Sequence, residues 1–254
     1  PLIESQGRMH EVTIHHLEEA DQRNCADITA SAIKKAHREE QGDILAFLPG
    51  KGEIMRCCEL LGESLGSTHI YPLYGLLSSE EQRKAIMPSR PGERKVVLAT
   101  SIAETSLTIE GVRIVVDSGF CRRMVFDPRS GLSHLDTVRI SMDMARQRTG
   151  RAGRVGEGVC YRLWTKATEL RMEDCRQPEI LEADLAPVVL SVASWGADDI
   201  MALRPLEWPE SPSLISSLPA AWYIGVVYRK YITAHPRQIM SDSTTHFQFS
   251  TPIV

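Results

Sequence analysis

Apolar positions along this chain fall into short unbroken runs separated by stretches with helical spacing. In HEVTIHHL, Val12, Ile14 and His16 alternate with their neighbours, which predicts a first strand. Residues 21–40 are polar with Ile28, Ala32, Ile33 and Ala36 at helical spacing, and Gly42 stops this predicted helix. DILAFLPG, at 43–50, is a continuous apolar run closed by Pro-Gly, the pattern of a strand buried on both faces. A helix is predicted over 53–65 and a strand over 69–73. Ser78-Ser79-Glu80-Glu81 is a capping box opening a helix that runs to about Met87. KVVLAT at 95–100, RIVVD at 113–117 and GVCYRLW at 158–164 add three more buried-strand runs.

Five or six such strands alternating with helices predict an α/β fold, a parallel sheet with helices on both faces. Its chemistry is expected at the carboxyl ends of the strands, here Pro49-Gly50, Tyr74-Gly75, Thr100-Ser101 and Asp117-Ser118-Gly119. Arg122, Met124 and Phe126 alternate before a turn at 128–131, and Leu135, Thr137 and Arg139 alternate after it, which predicts a β-hairpin. After Thr165 the pattern changes. Residues 169–195 read as helical, with Leu185, Val188, Val189, Val192 and Trp195 at helical spacing. From Trp208 onward prolines, serines and threonines recur without periodicity, and no internal repeat is found.

Composition narrows the class. The 254 residues suit one complete core plus something smaller, with 43% hydrophobic and 24% charged residues, which excludes a disordered, collagen-like or repeat-array chain. No run approaches the roughly 18 apolar residues of a membrane span. Pro1-Leu2-Ile3-Glu4 carries neither a basic nor an apolar leader region, so a cytoplasmic protein is expected. The chain lacks an initiating Met and is expected to begin inside a longer protein. Six cysteines lie scattered without Cys-x-x-Cys spacing or His companions, which predicts reduced thiols and no metal site.

The net charge of -4 hides an asymmetry. Between Arg83 and Arg154 stand 14 Lys/Arg against 7 Asp/Glu, so that stretch carries +7 and the remainder -11. A basic middle in an acidic chain is a candidate anion-binding region, and a mixed-charge solvated surface is the plainer alternative.

Two segments carry candidate chemistry. In QRTGRAGR, at 147–154, Arg148, Arg151 and Arg154 recur every third residue, and a helical turn would place them on one face with Arg146 nearby. Guanidinium forks suit phosphate oxygens, and Gly150 and Gly153 let a bulky anion approach the backbone. In LATSIAETSLTIEGVRIVVDSG, at 98–119, a buried strand enters a hydroxyl-rich turn containing Thr100, Ser101, Thr105, Ser106 and Thr108. Hydroxyls and free N–H groups beyond a strand end commonly bind phosphate, and the same turn could equally satisfy only its own backbone.

Taken together, FLPGKGEI, YPLYGLLSSEEQRKAI, ATSIAETSLTIEGV and QRTGRAGR resemble, in order, motifs IV, IVa, V and VI of the superfamily 2 DEAH-box helicases, and the match is similar to the bacterial HrpB type. The resemblance runs from about Glu4 to Pro209. It implies a second RecA-like domain of P-loop NTPase type over 1–167 and the start of a helical, winged-helix-type region over 168–254. Arg151 and Arg154 then match two arginine fingers that stabilise charge on the γ-phosphate of ATP. Gln147 matches the glutamine that orders the attacking water, and Gly150, Thr108 and Glu110 match positions near the nucleotide, where Glu110 replaces a common Asp. Thr100 and Ser101 stand at a Thr-Asn pair that grips nucleic-acid phosphates, Ser101 being a shorter donor than Asn. Ile86 replaces an aromatic that stacks on the base in eukaryotic relatives, which implies weak nucleotide selectivity. Related helicases also carry a hairpin at the position predicted above, beside the nucleic-acid channel.

The sequence contains no G-x-x-x-x-G-K-[ST] loop and no Asp-Glu-x-His box, and GKG at 50–52 lacks the flanking residues of a phosphate loop. The resemblance therefore implies that Mg2+ and the ATP triphosphate are held mainly by a first RecA-like domain, absent from this chain. The expected activity is that of a 3′-to-5′ ATP-dependent helicase on single-stranded nucleic acid, RNA more than DNA, with this chain inactive alone. A non-catalytic nucleic-acid-binding module with the same fold is the alternative. The tail beyond about residue 210 reads as truncated or in a shifted frame, with a genuine, poorly packed tail as the alternative.

Overall fold

The computed structural model describes residues 10–176, except 106, 108 and 128–131, together with residue 191. Of these, the ones within 10–123 and 135–176 belong to one compact unit, and those within 124–134 to another. In the first unit, strands β1 (Val12–His16), β2 (Asp43–Phe47), β3 (His69–Leu73), β4 (Lys95–Ala99), β5 (Val112–Asp117) and β8 (Gly158–Arg162) build a six-stranded sheet in the order β1-β8-β5-β2-β4-β3. Every pairing is parallel.

Register and alternation give the sheet two apolar faces. Ala46 of β2 lies opposite Leu98 of β4 and Val116 of β5, and all three join one core cluster. Their neighbours Leu45, Val97 and Val115 are also in register and join a second cluster. Successive side chains on a strand point to opposite faces, so a strand covered on both must be apolar throughout. This is why DILAF and KVVLA carry no alternation.

The first face is covered by α1 (Cys25–Glu39) and α2 (Lys51–Leu61), through Ala26, Ala30, Ile33 and Ala36 from one and Ile54, Cys57 and Leu61 from the other. The second receives Ala85 from α3 (Ser79–Ile86) and Ala103 from the short α4 (Ile102–Thr105). Helix α1 starts later than its periodicity predicts, because the Asn24 side chain accepts the Ala26 N–H and caps it there. The predicted capping box is present, with Ser78 and Glu81 satisfying each other's backbone N–H groups. The predicted helix over 53–65 divides at Gly62, in the left-handed region at φ +41°, after which Gly62–Leu65 forms a 3-10 turn.

Cations meet the carbonyls at several helix ends. Lys95 Nζ donates to the carbonyls of Ala85, Ile86 and Met87 at the end of α3. Arg94 donates to the His37 carbonyl in the last turn of α1 and to the Gly42 carbonyl beyond it, and Lys34 to Leu60 at the end of α2. Last-turn carbonyls lack partners within a helix, and a cation there also opposes the helix dipole.

The predicted hairpin is β6 (Phe120–Asp127) and β7 (Leu132–Arg139), a separate two-stranded sheet. Its Leu132 and Leu135 side chains are exposed. Helix α5 (Met142–Thr149) follows, and a third cluster of Cys121, Ile140, Met144, Ala145 and Trp164 packs beside it. The helix predicted over 169–195 differs at its start: α6 (Lys166–Glu169) ends where that helix was expected to begin, and residues 170–176 are turns and bends. The backbone there closes in tight turns, Arg171 N to Thr168 O and Met172 N to Glu169 O, and Glu169 Oε2 is held by Arg162 Nη1 at 2.7 Å, His16 Nε2 at 2.7 Å and Trp164 Nε1 at 3.0 Å. Leu185, Val188, Val189, Val192, Trp195 and the tail lie outside the described residues.

Candidate functional site

The QRTGRAGR segment does not continue a helix. Helix α5 ends at Thr149, the Gly150 N–H closes on the Arg146 carbonyl at 2.9 Å, and Arg151 and Ala152 make only turn hydrogen bonds before an extended loop. The shared helical face expected of Arg148, Arg151 and Arg154 is therefore absent, and each arginine has its own environment.

Arg148 points into the core and is fully buried. Its Nε and Nη2 lie 2.7 and 2.6 Å from Glu104 Oε1, while Nη1 donates to Asp117 Oδ1 at 2.8 Å and to the Phe120 carbonyl at 3.3 Å. The guanidinium also stacks over the Phe47 ring, 4.8 Å from its centre. Burial disfavours this charge, but Asp117 and Glu104 outweigh it and hold the Arg148 pKa above its ordinary value. Burial dominates at Glu104 and pushes its carboxyl up despite Arg148.

Arg151 is also buried, yet it is bound to main chain. Its Nε donates to the Glu104 carbonyl at 2.9 Å, Nη1 to the Leu107 carbonyl at 2.6 Å, and Nη2 again to Glu104. Arg154 is exposed on the loop, and Gln147 is exposed in the last turn of α5. Motifs at 98–119 and 147–154 are thus joined through α4: Glu104 holds Arg148 with its side chain and Arg151 with its carbonyl.

Thr100 and Ser101 stand at the carboxyl end of β4, as expected. The Thr100 N–H donates to the Leu73 carbonyl at 3.1 Å, and the pair opens α4 through Ala103 N to Thr100 O and Glu104 N to Ser101 O. Thr100 is half-buried and Ser101 exposed. The backbone of the arginine loop reaches the amino ends of β1 and β8, while the Arg151 side chain returns to α4 beyond the carboxyl end of β4. The His10 N–H donates to the Gly153 carbonyl just before β1, and Gly158, the first residue of β8, packs on Ala152. A Cβ on Gly153 would come within 2.7 Å of the His10 carbonyl oxygen, so this loop needs glycine for close packing at the amino ends of the strands.

Glu110 is exposed, Gly150 is half-buried at the end of α5, and Thr108 lies outside the described residues. Ile86 ends α3 half-buried against the second cluster. Lys51 of the GKG sequence starts α2 and lies over the Tyr74 ring at 5.7 Å. Sequence reasoning missed Glu104 and Asp117 as partners of Arg148. The available signal was a carboxylate closing the apolar run RIVVD, because a charge ending a buried strand requires a partner.

Residues 26–156, half of the chain, match the helicase conserved C-terminal domain family. The chain belongs to that family. The helicase-domain chain is 40% identical over 240 residues to the ATP-dependent RNA helicase HrpB of Escherichia coli (strain K12), covering 94% of this chain and 30% of that protein. It is likewise 40% identical over 228 residues to the pre-mRNA-splicing factor ATP-dependent RNA helicase prp22 of Schizosaccharomyces pombe, covering 86% of this chain and 19% of that one. The chain thus spans less than a third of either relative. Among solved structures, the Escherichia coli DEAH/RHA helicase HrpB superposes with a TM-score of 0.79 at 41% identity, over 85% of this chain and 28% of that one. A second structure, the E. coli DExH-box NTPase HrpB, gives a TM-score of 0.76 at 41% identity over 84% and 26%. The helicase-domain chain is therefore of the DEAH-box, HrpB type, corresponding to its second RecA-like domain.

Proposed function

We propose that this chain is the second motor domain of an ATP-dependent helicase that acts on single-stranded nucleic acid, RNA in preference to DNA. In this reading Arg151 and Arg154 act on the γ-phosphate with Gln147 ordering water, and Thr100 and Ser101 grip strand phosphates. The observation that carries it is the junction at Glu104, where the arginine loop meets the helix opened by the candidate strand grip. Two functions that a motor must link are adjacent in the fold.

The residues fit half of a nucleotide site. ATP supplies the phosphoryl group to be transferred, and this chain offers it guanidinium donors from the loop and the Gln147 amide. Planar guanidinium forks match phosphate oxygens. Magnesium instead takes oxygen ligands in octahedral geometry, and among the described residues no cluster of three His, Cys, Asp or Glu could hold a metal ion. In this reading the metal and the triphosphate cradle belong to a first motor domain.

The test is ATP turnover by the chain alone and by the same chain joined to a motor domain carrying a phosphate loop and acidic box. The chain alone is expected to be inactive, and the joined protein to hydrolyse ATP faster with single-stranded RNA. Intact RNA binding without turnover in the joined protein would favour a non-catalytic module.

A further inference from the structure

Glu104 occupies an unusual position between the two candidate sites. Its N–H donates to the Ser101 carbonyl at 2.9 Å, so the residue sits one turn below the proposed strand grip. Its carboxylate accepts a hydrogen bond from Arg148 Nε and lies 2.6 Å from Nη2 in an ion pair, and its carbonyl takes two donors from Arg151. Arg148 is anchored at its far side by Asp117 at the end of β5 and by the Phe47 ring of β2, so it cannot follow a moving helix freely.

The four-residue helix α4 is too short to be held by its own hydrogen bonds. Its position is fixed by what its side chains touch: Ala103 in the second cluster and Glu104 on Arg148. A buried ion pair is a poor source of net stability compared with apolar packing of the same volume, but it fixes geometry closely. The Arg148–Glu104 pair therefore sets where the Glu104 carbonyl stands, and that carbonyl is what Arg151 grasps.

Resting on the function proposed above, we propose that Glu104 is a positioning residue that couples the strand grip to the arginine finger. Phosphates engaging Thr100 and Ser101 load the turn that opens α4. The load passes through Glu104 to the carbonyl that holds Arg151, and the guanidinium is repositioned. Arg148 is the fixed point against which this occurs. No covalent step is involved, and Glu104 itself touches neither nucleic acid nor ATP.

The test uses the full 254-residue chain labelled with 15N-arginine and titrated with a short poly(U) strand. The side-chain Nε–H resonance of Arg151 is identified by its loss in Arg151→Lys. In the unsubstituted chain, poly(U) is expected to shift that resonance by more than its line width. In Glu104→Gln, which keeps shape and an acceptor oxygen but loosens the hold on Arg148, poly(U) should bind with unchanged affinity while the Arg151 shift shrinks. A merely structural Glu104 would lower the melting temperature and leave the shift intact. Poly(U) binding without any Arg151 shift, or a full shift in Glu104→Gln, overturns the coupling while leaving the proposed function standing. Failure of poly(U) to bind at all overturns both. Should Glu104→Gln not fold, Arg148→Lys replaces it: loosening the anchor of Glu104 should shrink the Arg151 shift, and a full shift overturns the coupling.

Discussion

The guanidinium of Arg151 closes on the main-chain carbonyl of Glu104, with Nε 2.9 Å from the oxygen. A residue expected to reach across a domain cleft thus also satisfies the end of a short helix within its own domain. Arg151→Ala is expected to leave the Glu104 and Leu107 carbonyls without these donors, and each buried carbonyl left unpaired costs about 1–3 kcal/mol. Chemical denaturation should therefore show a lowered midpoint. An unchanged midpoint would mean that the carbonyls are satisfied without Arg151.

Arg148 should matter still more for folding. Arg148→Met keeps much of the volume beside Phe47 but leaves Glu104 and Asp117 as two buried carboxylates without their cation. Breaking a buried pair from one side costs roughly 3–5 kcal/mol. The variant is expected to unfold at a clearly lower denaturant concentration. Stability within experimental error of the unsubstituted chain would contradict the ion pair.

Much of this arrangement was legible in the residues. The buried strands announced themselves because a strand covered on both faces leaves no polar position, as in DILAF and KVVLA. The Ser78 capping box was equally plain, since both of its partners are local. What failed was the face shared by Arg148, Arg151 and Arg154. Spacing predicts a face only while the helix continues, and α5 stops at Thr149. Gly150 closes the helix, and contacts distant in sequence, such as His10 with Gly153, hold the loop beyond it, which periodicity does not report. Glu104 was passed over for the same reason: its partners stand 44 residues away on Arg148 and 47 away on Arg151.

The pH dependence of stability should trace in part to Glu169. Burial alone would raise its carboxyl, but His16, Arg162 and Trp164 outweigh that and hold it below the ordinary glutamate range. A folded-state pKa below the unfolded one contributes stability above the unfolded value, lost as pH falls through the folded value. Glu169→Gln should therefore lower stability at neutral pH and flatten its loss on acidification. An acid limb with unchanged slope would exclude Glu169 as a contributor.

Strand binding by Thr100 and Ser101 should be weak, independent of sequence and sensitive to salt, since phosphate contacts release counterions. Ser101→Ala is expected to reduce affinity for poly(U), and Ser101→Asn, a longer donor, to raise it. Fluorescence anisotropy over a range of salt concentrations reads both. Affinity that does not change with salt would place the binding elsewhere.

The central claim is that the arginine loop serves ATP hydrolysis, and Arg154 tests it most directly because it is exposed on the loop. The measurement is ATP turnover, with melting temperature alongside, for Arg154→Ala in a protein carrying both motor domains. Arginine fingers accelerate phosphoryl transfer by roughly 10³ to 10⁵. Turnover should therefore collapse by about that factor while the melting temperature holds, with Arg154→Lys recovering little because an ammonium lacks the planar fork. Normal turnover in Arg154→Ala would contradict the account.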